Sequence, residues 1–238
     1  MKKEICLVTG ASGAIGGAIA QELLARGERV ALGCFNNEKK AQALADAFPG
    51  QALVLPFDAR SEEGCRAAVC RAEADFGPIG SLIHAAGQAE WSLIQETSTS
   101  RWRALFALHV DAAFYLIQAV LPHMLAEKRG NLLLISSVWG QAGAAMEAAY
   151  SAAKAAQIGL VRALARELGP SNLRVNALSP GLIESPMNGG LDLSSFIETI
   201  PLSRPGLPSE VAKAAAFLCS EDASYVSGQV LGVNGGIL

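Results

Sequence analysis

Thr9-Gly10-Ala11-Ser12-Gly13-Ala14-Ile15-Gly16 joins an apolar run at residues 5–9 to an amphipathic one at 15–26. The first run has the length and composition of a buried strand. The second has helical spacing and is closed by Gly27. A glycine-rich turn between strand and helix lets the backbone approach a phosphate closely, and the helix N-terminus then offers N–H donors and its positive dipole end. Glycine also marks ordinary turns. The position here, after a strand and before a helix at the chain start, favours a pyrophosphate site over a plain turn.

The same alternation continues outward from that turn. Apolar strands at 29–34, 52–57, 81–85, 132–136, 174–178 and 229–233 alternate with helices at 38–48, 62–76, 99–127, 148–168 and 209–220, the last with Ser209 as its N-cap. This pattern predicts an α/β fold: a single-domain, Rossmann-type, doubly wound parallel sheet of about seven strands, helices on both faces. No linker, repeat or low-complexity segment interrupts it, so one domain is expected over 1–238. Residues 184–204 carry Pro186, Gly189, Gly190 and Pro201 and read as a loop and short helix placed as a lid over a site.

Composition narrows the function. Of 238 residues, 51% are hydrophobic and 17% charged, enough to bury a sizeable core and too apolar for disorder. A net charge of −3 without a long basic run argues against nucleic acid as a partner. The basic pairs Lys2-Lys3, Lys39-Lys40 and Lys128-Arg129 read by default as solvated surface. Five cysteines, none in CxxC spacing, read as reduced thiols in a reducing compartment. The apolar start breaks at Thr9-Gly10, too soon for a signal segment, and no uninterrupted apolar run reaches membrane-spanning length. A cytoplasmic, soluble protein with no membrane partner and no metal site is expected.

The chemistry lies in Tyr150-Ser-Ala-Ala-Lys154 and in Ser137, which follows the apolar run 132–135. Residues four apart share one helix face, so a phenol and an ammonium are offered side by side. A nearby cation favours the phenolate, so Lys154 is expected to lower the Tyr150 pKa from its ordinary value of about 10. A hydroxyl at a strand end can hydrogen-bond a carbonyl. Together these groups can protonate an oxygen while a hydride reaches carbon. In isolation the spacing is equally that of a packed tyrosine and a snorkelling lysine.

A hydride donor would be a nicotinamide dinucleotide. An acid at the end of the second strand would bind the adenosine ribose hydroxyls and repel a 2′-phosphate. The chain has Gly33-Cys34-Phe35-Asn36-Asn37-Glu38-Lys39-Lys40 there. The acid is missing, and Asn36, Asn37 and Lys39 stand within reach of a phosphate, although no arginine follows the strand. NADPH is favoured over NADH. Lys39 and Lys40 also fit the solvent face of the next helix.

These residues together resemble the short-chain dehydrogenase/reductase superfamily over essentially the whole chain. Its TGxxxGxG motif is present with Ala14 in place of the middle glycine. The resemblance implies cofactor contacts at Gly10, Ser12, Gly13, Ile15, Gly16 and Asn36, at Asp58 and Ala59 for the adenine, and at Ala85, Ala86 and Gly87, where His84-Ala-Ala-Gly87 replaces NNAG. It implies further contacts at Pro180, Gly181, Ile183 and Ser185 for the nicotinamide carboxamide, and at Tyr150 and Lys154. Gly228-Gln229-Val230 and Asn234-Gly235-Gly236 resemble the family's C-terminal strand and turn. Ser137, Tyr150 and Lys154 match its catalytic residues. His109, in Leu108-His109-Val110-Asp111-Ala112, stands where the family has a fourth, an asparagine that helps hold a water linking the lysine to solvent. A histidine can donate and accept in that relay and would bring a group titrating near pH 6.5. It can also be a satisfied core histidine. His84 reads as a structural hydrogen bonder.

Within the superfamily, the stretches 119–124, 135–140, 174–181 and 228–236 look like bacterial 3-oxoacyl-[acyl-carrier-protein] reductases. That likeness implies a ketone substrate carried on an acidic carrier protein, and a basic landing patch. Lys128 and Arg129 are the first candidates, Arg101 and Arg103 the second. Residues 139–143 and 147–150 also resemble reductases acting on 5-aminopentanone-modified elongation factor P. A catalytically silent cofactor-binding scaffold is the alternative of another class. His109, His84 and Ala14 favour it, and the complete Ser137/Tyr150/Lys154 set opposes it. Family members are mostly homotetramers built on the long helices, here 99–127 and 148–168.

Overall fold

The computed structural model describes residues 4–185 and 193–238. Seven strands form one sheet: β1 (Ile5–Thr9), β2 (Val30–Cys34), β3 (Ala52–Pro56), β4 (Ile79–His84), β5 (Gly130–Ile135), β6 (Leu173–Pro180) and β7 (Val230–Val233). They lie in the order β3-β2-β1-β4-β5-β6-β7, and every neighbouring pair is parallel. Every residue of β1, β2 and β5 is buried. That accounts for their near-continuous apolar runs, since a parallel sheet is covered on both faces.

Helices α1 (Ala14–Ala25) and α9 (Pro208–Cys219) cover one face through Ile19, Leu23, Ala212 and Ala215. Helices α3 (Glu62–Asp75), α5 (Ala112–Glu127) and α7 (Ala148–Leu168) cover the other through Val69, Leu116, Val120 and Val161. The chain winds outward from β1 in one direction and from β4 in the other. Ligands of such sheets bind beyond the carboxyl ends at that switch point. Thr9 and His84 are paired there.

Several elements differ from the sequence expectation. The single helix expected at 99–127 consists of α4 (Thr99–Phe106), a π-helical turn at Ala107–Asp111 and α5. The combined Thr99–Glu127 helix is 29 residues long and, by length and composition alone, apolar enough to cross a bilayer. Its inner residues Leu105, Ala112, Leu116 and Val120 are fully buried in the protein, while Trp102 and Phe114 stand exposed. Helix α9 starts at Pro208, not after Ser209. Proline supplies no N–H at the first position, and Glu210 accepts the Leu207 N–H at 2.7 Å. Two further short helices follow β5 and β6: α6 (Val138–Ala142) and α8 (Ser194–Ile197). Of the lid expected at 184–204, residues 186–192 lie outside the described residues.

Candidate active site

The phosphate turn is built as its glycines require. Gly10 has φ +68°, and a Cβ on it would lie 2.8 Å from the Ala86 backbone. A Cβ on Gly16 would collide with the Gly10 carbonyl. Both positions are therefore closed to side chains. Ala14, standing for the motif's middle glycine, is the first residue of α1 and has ordinary helical backbone, so the exchange costs little. Gly13 caps α1 without a side-chain hydrogen bond, and no acid occupies the first turn. This glycine cradle and its uncapped helix start fit a dinucleotide pyrophosphate.

At the adenosine end, Cys34 closes β2 and is buried, with burial and then Glu38 raising its thiol. Ser12 Oγ donates to the Asn36 carbonyl at 2.9 Å, fastening the loop after β2 to the phosphate turn. Asp58 does not stand free for an adenine. Arg60 Nε donates to Oδ1 at 2.9 Å, and Nη2 to Oδ2 at 2.7 Å. That guanidinium, first by its hydrogen bonds, holds the carboxyl below its usual range.

At the end of β4, His84 is fully buried. Its Nε2 donates to Leu108 O at 3.2 Å, and its Nδ1, 3.0 Å from Thr9 Oγ1, accepts that hydroxyl. Thr9 Oγ1 in turn accepts the N–H groups of Ala85 and Ala86 at 3.2 and 3.1 Å. Burial, then the Lys154 charge, pushes His84 down to about 3. It is a neutral brace joining β1, β4 and the π-helical turn.

Ser137 follows β5 as the N-cap of α6, its Oγ accepting the Trp139 N–H at 3.2 Å. One helix further, α7 presents Tyr150 and Lys154. The Ser137 hydroxyl lies close enough to the Tyr150 phenol to favour its ionised form. Lys154 is 4% exposed, and its Nζ donates to Ile135 O at 2.7 Å and to Gln157 Oε1 at 3.2 Å. The expected downward shift of Tyr150 does not occur. Burial holds the phenol up at about 12, with the Ser137 hydroxyl opposing and the Glu147 charge reinforcing. Lys154 keeps its ammonium on Ile135 and Gln157, 5.6 Å from the Tyr150 ring centre, and burial lowers it to about 7. Desolvation of the phenol outweighs the cation that the four-residue spacing places near it.

His109 lies in the π-helical turn, an irregularity frequent at functional sites. It is fully buried, its ring edge-on to Tyr150 at 5.5 Å. Nε2 donates to Gln88 O at 2.9 Å, and Nδ1 has no hydrogen-bond partner among the described residues. Burial, then Lys154, holds it well below its ordinary value. The expected titration near pH 6.5 is therefore replaced by a neutral ring. Its backbone carbonyl accepts Gln157 Nε2 at 2.8 Å, so Gln157 bridges Lys154 to His109. Gln157 escaped the sequence reading, although its place three residues beyond Lys154, on the same helix face, was visible.

Gly181 N donates to Val233 O at 3.0 Å, placing Pro180 and Gly181 at the carboxyl end of β6. Ile183 bridges Gly206, and Ser185 follows two residues on. Gly10, Ala85, Ser137, Tyr150, Lys154, His109 and Gly181 thus gather along one sheet edge. Lys128 and Arg129 do not join them. They precede β5 while Ser137 follows it, about 17 Å of strand away, and Arg129 pairs with Glu4. A cavity of about 360 Å³ at that far edge, lined by Glu4, Asn131, Arg174 and Cys219, is likewise remote from Tyr150. Arg101, the nearer candidate, pairs with Glu90 at 3.1 Å. Among the described residues no cluster of three or more His, Cys, Asp or Glu is placed to hold a metal ion.

A switch-point glycine cradle beside a Ser-Tyr-Lys set is the constellation of a nicotinamide-dependent oxidoreductase. A family model described as Enoyl-(Acyl carrier protein) reductase matches residues 10–238. An uncharacterized oxidoreductase of Bacillus subtilis is 36% identical over 237 residues, covering 97% of both chains. Nodulation protein G of Azospirillum brasilense is 37% identical over 243 residues, covering 100% of this chain and 99% of its own. A 3-oxoacyl-[acyl-carrier-protein] reductase of Escherichia coli is 34% identical over 237 residues, covering 98% and 97%. The chain belongs to the short-chain dehydrogenase/reductase family and is an NAD(P)-dependent short-chain oxidoreductase.

Proposed function

We propose that the protein reduces a ketone with NADPH, and that the ketone is a 3-oxoacyl group on acyl carrier protein. The observation that carries the reduction is the gathering of Ser137, Tyr150 and a buried Lys154 at the carboxyl end of β5. Bound NADPH would supply the hydride. Gly10, Gly13 and the start of α1 would hold its pyrophosphate. Pro180, Gly181, Ile183 and Ser185 would receive its carboxamide, and Lys154 its nicotinamide ribose. Ser137 and Tyr150 orient the substrate oxygen. A phenol held near 12 is fully protonated at neutral pH and so stands ready as the acid. Lys154 stabilises the phenolate left behind. Several similar proteins are 3-oxoacyl-[acyl-carrier-protein] reductases, which supports the acyl substrate.

A second reading, the ketone of aminopentanone-modified elongation factor P, is favoured by Glu147. This carboxyl sits one helical turn before Tyr150, near Trp139. A carboxylate beside the reacting group suits a substrate carrying an amine, which a fatty acyl chain lacks. Four further proposals accompany the reading. None of the five cysteines, all among the described residues, is in a disulfide, which supports a reducing, cytoplasmic setting. The exposed Trp102, Phe114 and Leu125 support a homotetramer through the long helices. Arg101 and Arg103 would meet the carrier protein. One domain carries the whole activity.

The test is NADPH oxidation by the purified protein with acetoacetyl-carrier protein, other acetoacetyl thioesters and the modified elongation factor. Turnover of the thioesters, falling by about a thousandfold in Tyr150→Phe, is the expected result. Reduction of the modified factor alone would replace the first reading by the second. Equal background rates in wild type and Tyr150→Phe on every carbonyl would favour a silent scaffold.

A further inference from the structure

No arginine follows β2 in the sequence, yet the fold brings one there from the next strand. Phe57 N donates to Cys34 O at 2.8 Å, which ties the end of β3 to the end of β2. The Phe35 ring is 57% exposed just beyond, and the Arg60 guanidinium lies over it, 5.1 Å from its centre. Arg60 meanwhile occupies both oxygens of Asp58. An adenine amino group cannot use Asp58 fully while this fork is closed. Opening the fork leaves a guanidinium free beside the adenosine.

We propose that Arg60 recognises the 2′-phosphate of NADPH, exchanging Asp58 for that phosphate as the cofactor binds. This rests on the nicotinamide-cofactor reading above. The exchange is favourable in direction. The Arg60 and Asp58 side chains are 45% and 31% exposed, and an ion pair so open to water holds weakly. A phosphate monoester offers the same planar fork a doubly charged acceptor with bidentate geometry. Lys39 and Lys40, exposed at the start of α2 (Glu38–Ala47), supply point charges without that geometry.

Calorimetric titration of the full-length protein with 2′,5′-ADP and with 5′-ADP tests this without turnover. Wild type, Arg60→Gln, Arg60→Lys and Lys39→Gln are compared, with thermal unfolding confirming that each is folded. Wild type should prefer 2′,5′-ADP by about tenfold or more. Arg60→Gln should lose that preference while keeping its 5′-ADP affinity, Arg60→Lys should recover part of it, and Lys39→Gln should keep most of it. Retention of the preference in Arg60→Gln overturns the proposal. So does an equal loss for both nucleotides, which would make Arg60 a support of the adenine pocket. A wild type without preference overturns it as well, while leaving a nicotinamide cofactor in place. A wild type that binds neither nucleotide overturns the cofactor reading itself, and the proposal with it.

Discussion

Replacing Lys154 with methionine should make the folded protein more stable below neutral pH and less stable above pH 10. In wild type, burial lowers the lysine from 10.5 to about 7. At about 1.4 kcal/mol per pH unit, that amounts to on the order of 5 kcal/mol for charging it in place. Below pH 7 both folded and unfolded wild type carry the proton, so the full penalty is present. Between pH 7 and 10.5 the unfolded chain keeps the proton and the folded one releases it. Wild-type stability therefore rises through this window. Methionine fills the same space without charge. It leaves Ile135 O and Gln157 Oε1 without their donor, at a combined cost of about 2–4 kcal/mol. The variant should then exceed wild type by about 1–3 kcal/mol at pH 6 and fall below it once the lysine is neutral.

Urea unfolding of both proteins at pH 6, 8 and 9.5, at one protein concentration, measures the difference. Groups common to both cancel. Tyr150 is one of them: its folded value of about 12 keeps it protonated over this range, while in both unfolded chains it is about a quarter ionised at pH 9.5. Between pH 6 and 9.5, wild type should gain about 3 kcal/mol on the variant. A difference constant to within about 1 kcal/mol would refute the account of a desolvated lysine. The activity of the variant is a separate matter and should be lost at every pH.

Gly87→Ala would place a Cβ 2.6 Å from His109 Cε1; thermal unfolding should show a loss of about 1–3 kcal/mol. Glu147, raised from 4.5 to about 7 chiefly by burial, keeps its proton in the folded state after the unfolded chain has released it. Wild type should lose stability relative to Glu147→Gln as pH rises through 4.5–7, and parallel denaturation curves for the two would contradict this. His109→Asn should leave the kcat–pH profile unchanged near pH 6.5, because the buried imidazole is neutral throughout; disappearance of a limb there would assign that ionisation to His109.

What could be read from the chain was what adjacent residues settle together. The glycine turn sits between a strand and a helix, so its place at the switch point followed from alternation alone. Tyr150 and Lys154 share a helix face by spacing, and Ser137 ends a strand. The structure puts all three at one edge with His109. Contacts made by folding were not legible. Arg60 meets Phe35 across two strand ends, and the chain between them gives no hint of it. The basic pair Lys128-Arg129 is near Ser137 in sequence, but it precedes β5 while Ser137 follows it. Short irregular elements, α6 and the π-helical turn, are too brief for a periodic signal. The sign of the Tyr150 shift failed for another reason: spacing names the neighbours of a group and says nothing of how much water it loses.

That last point explains how the site tolerates histidine at two of the family's asparagine positions. His84, His109 and Lys154 lie close enough that the lysine charge depresses both imidazoles. Three protons in one buried region would repel one another in a low dielectric, and the arrangement settles which is kept. Each histidine Nε2 faces a backbone carbonyl, which demands an N–H but not a charge. Only Lys154 faces two acceptors, Ile135 O and Gln157 Oε1, and only its proton has somewhere to be shared. The histidines thus act as the amides they replace, as neutral donors. Positive charge stays with the residue that stands beside the phenol, so the departures at 84 and 109 alter the bracing of the site and leave its proton chemistry in place.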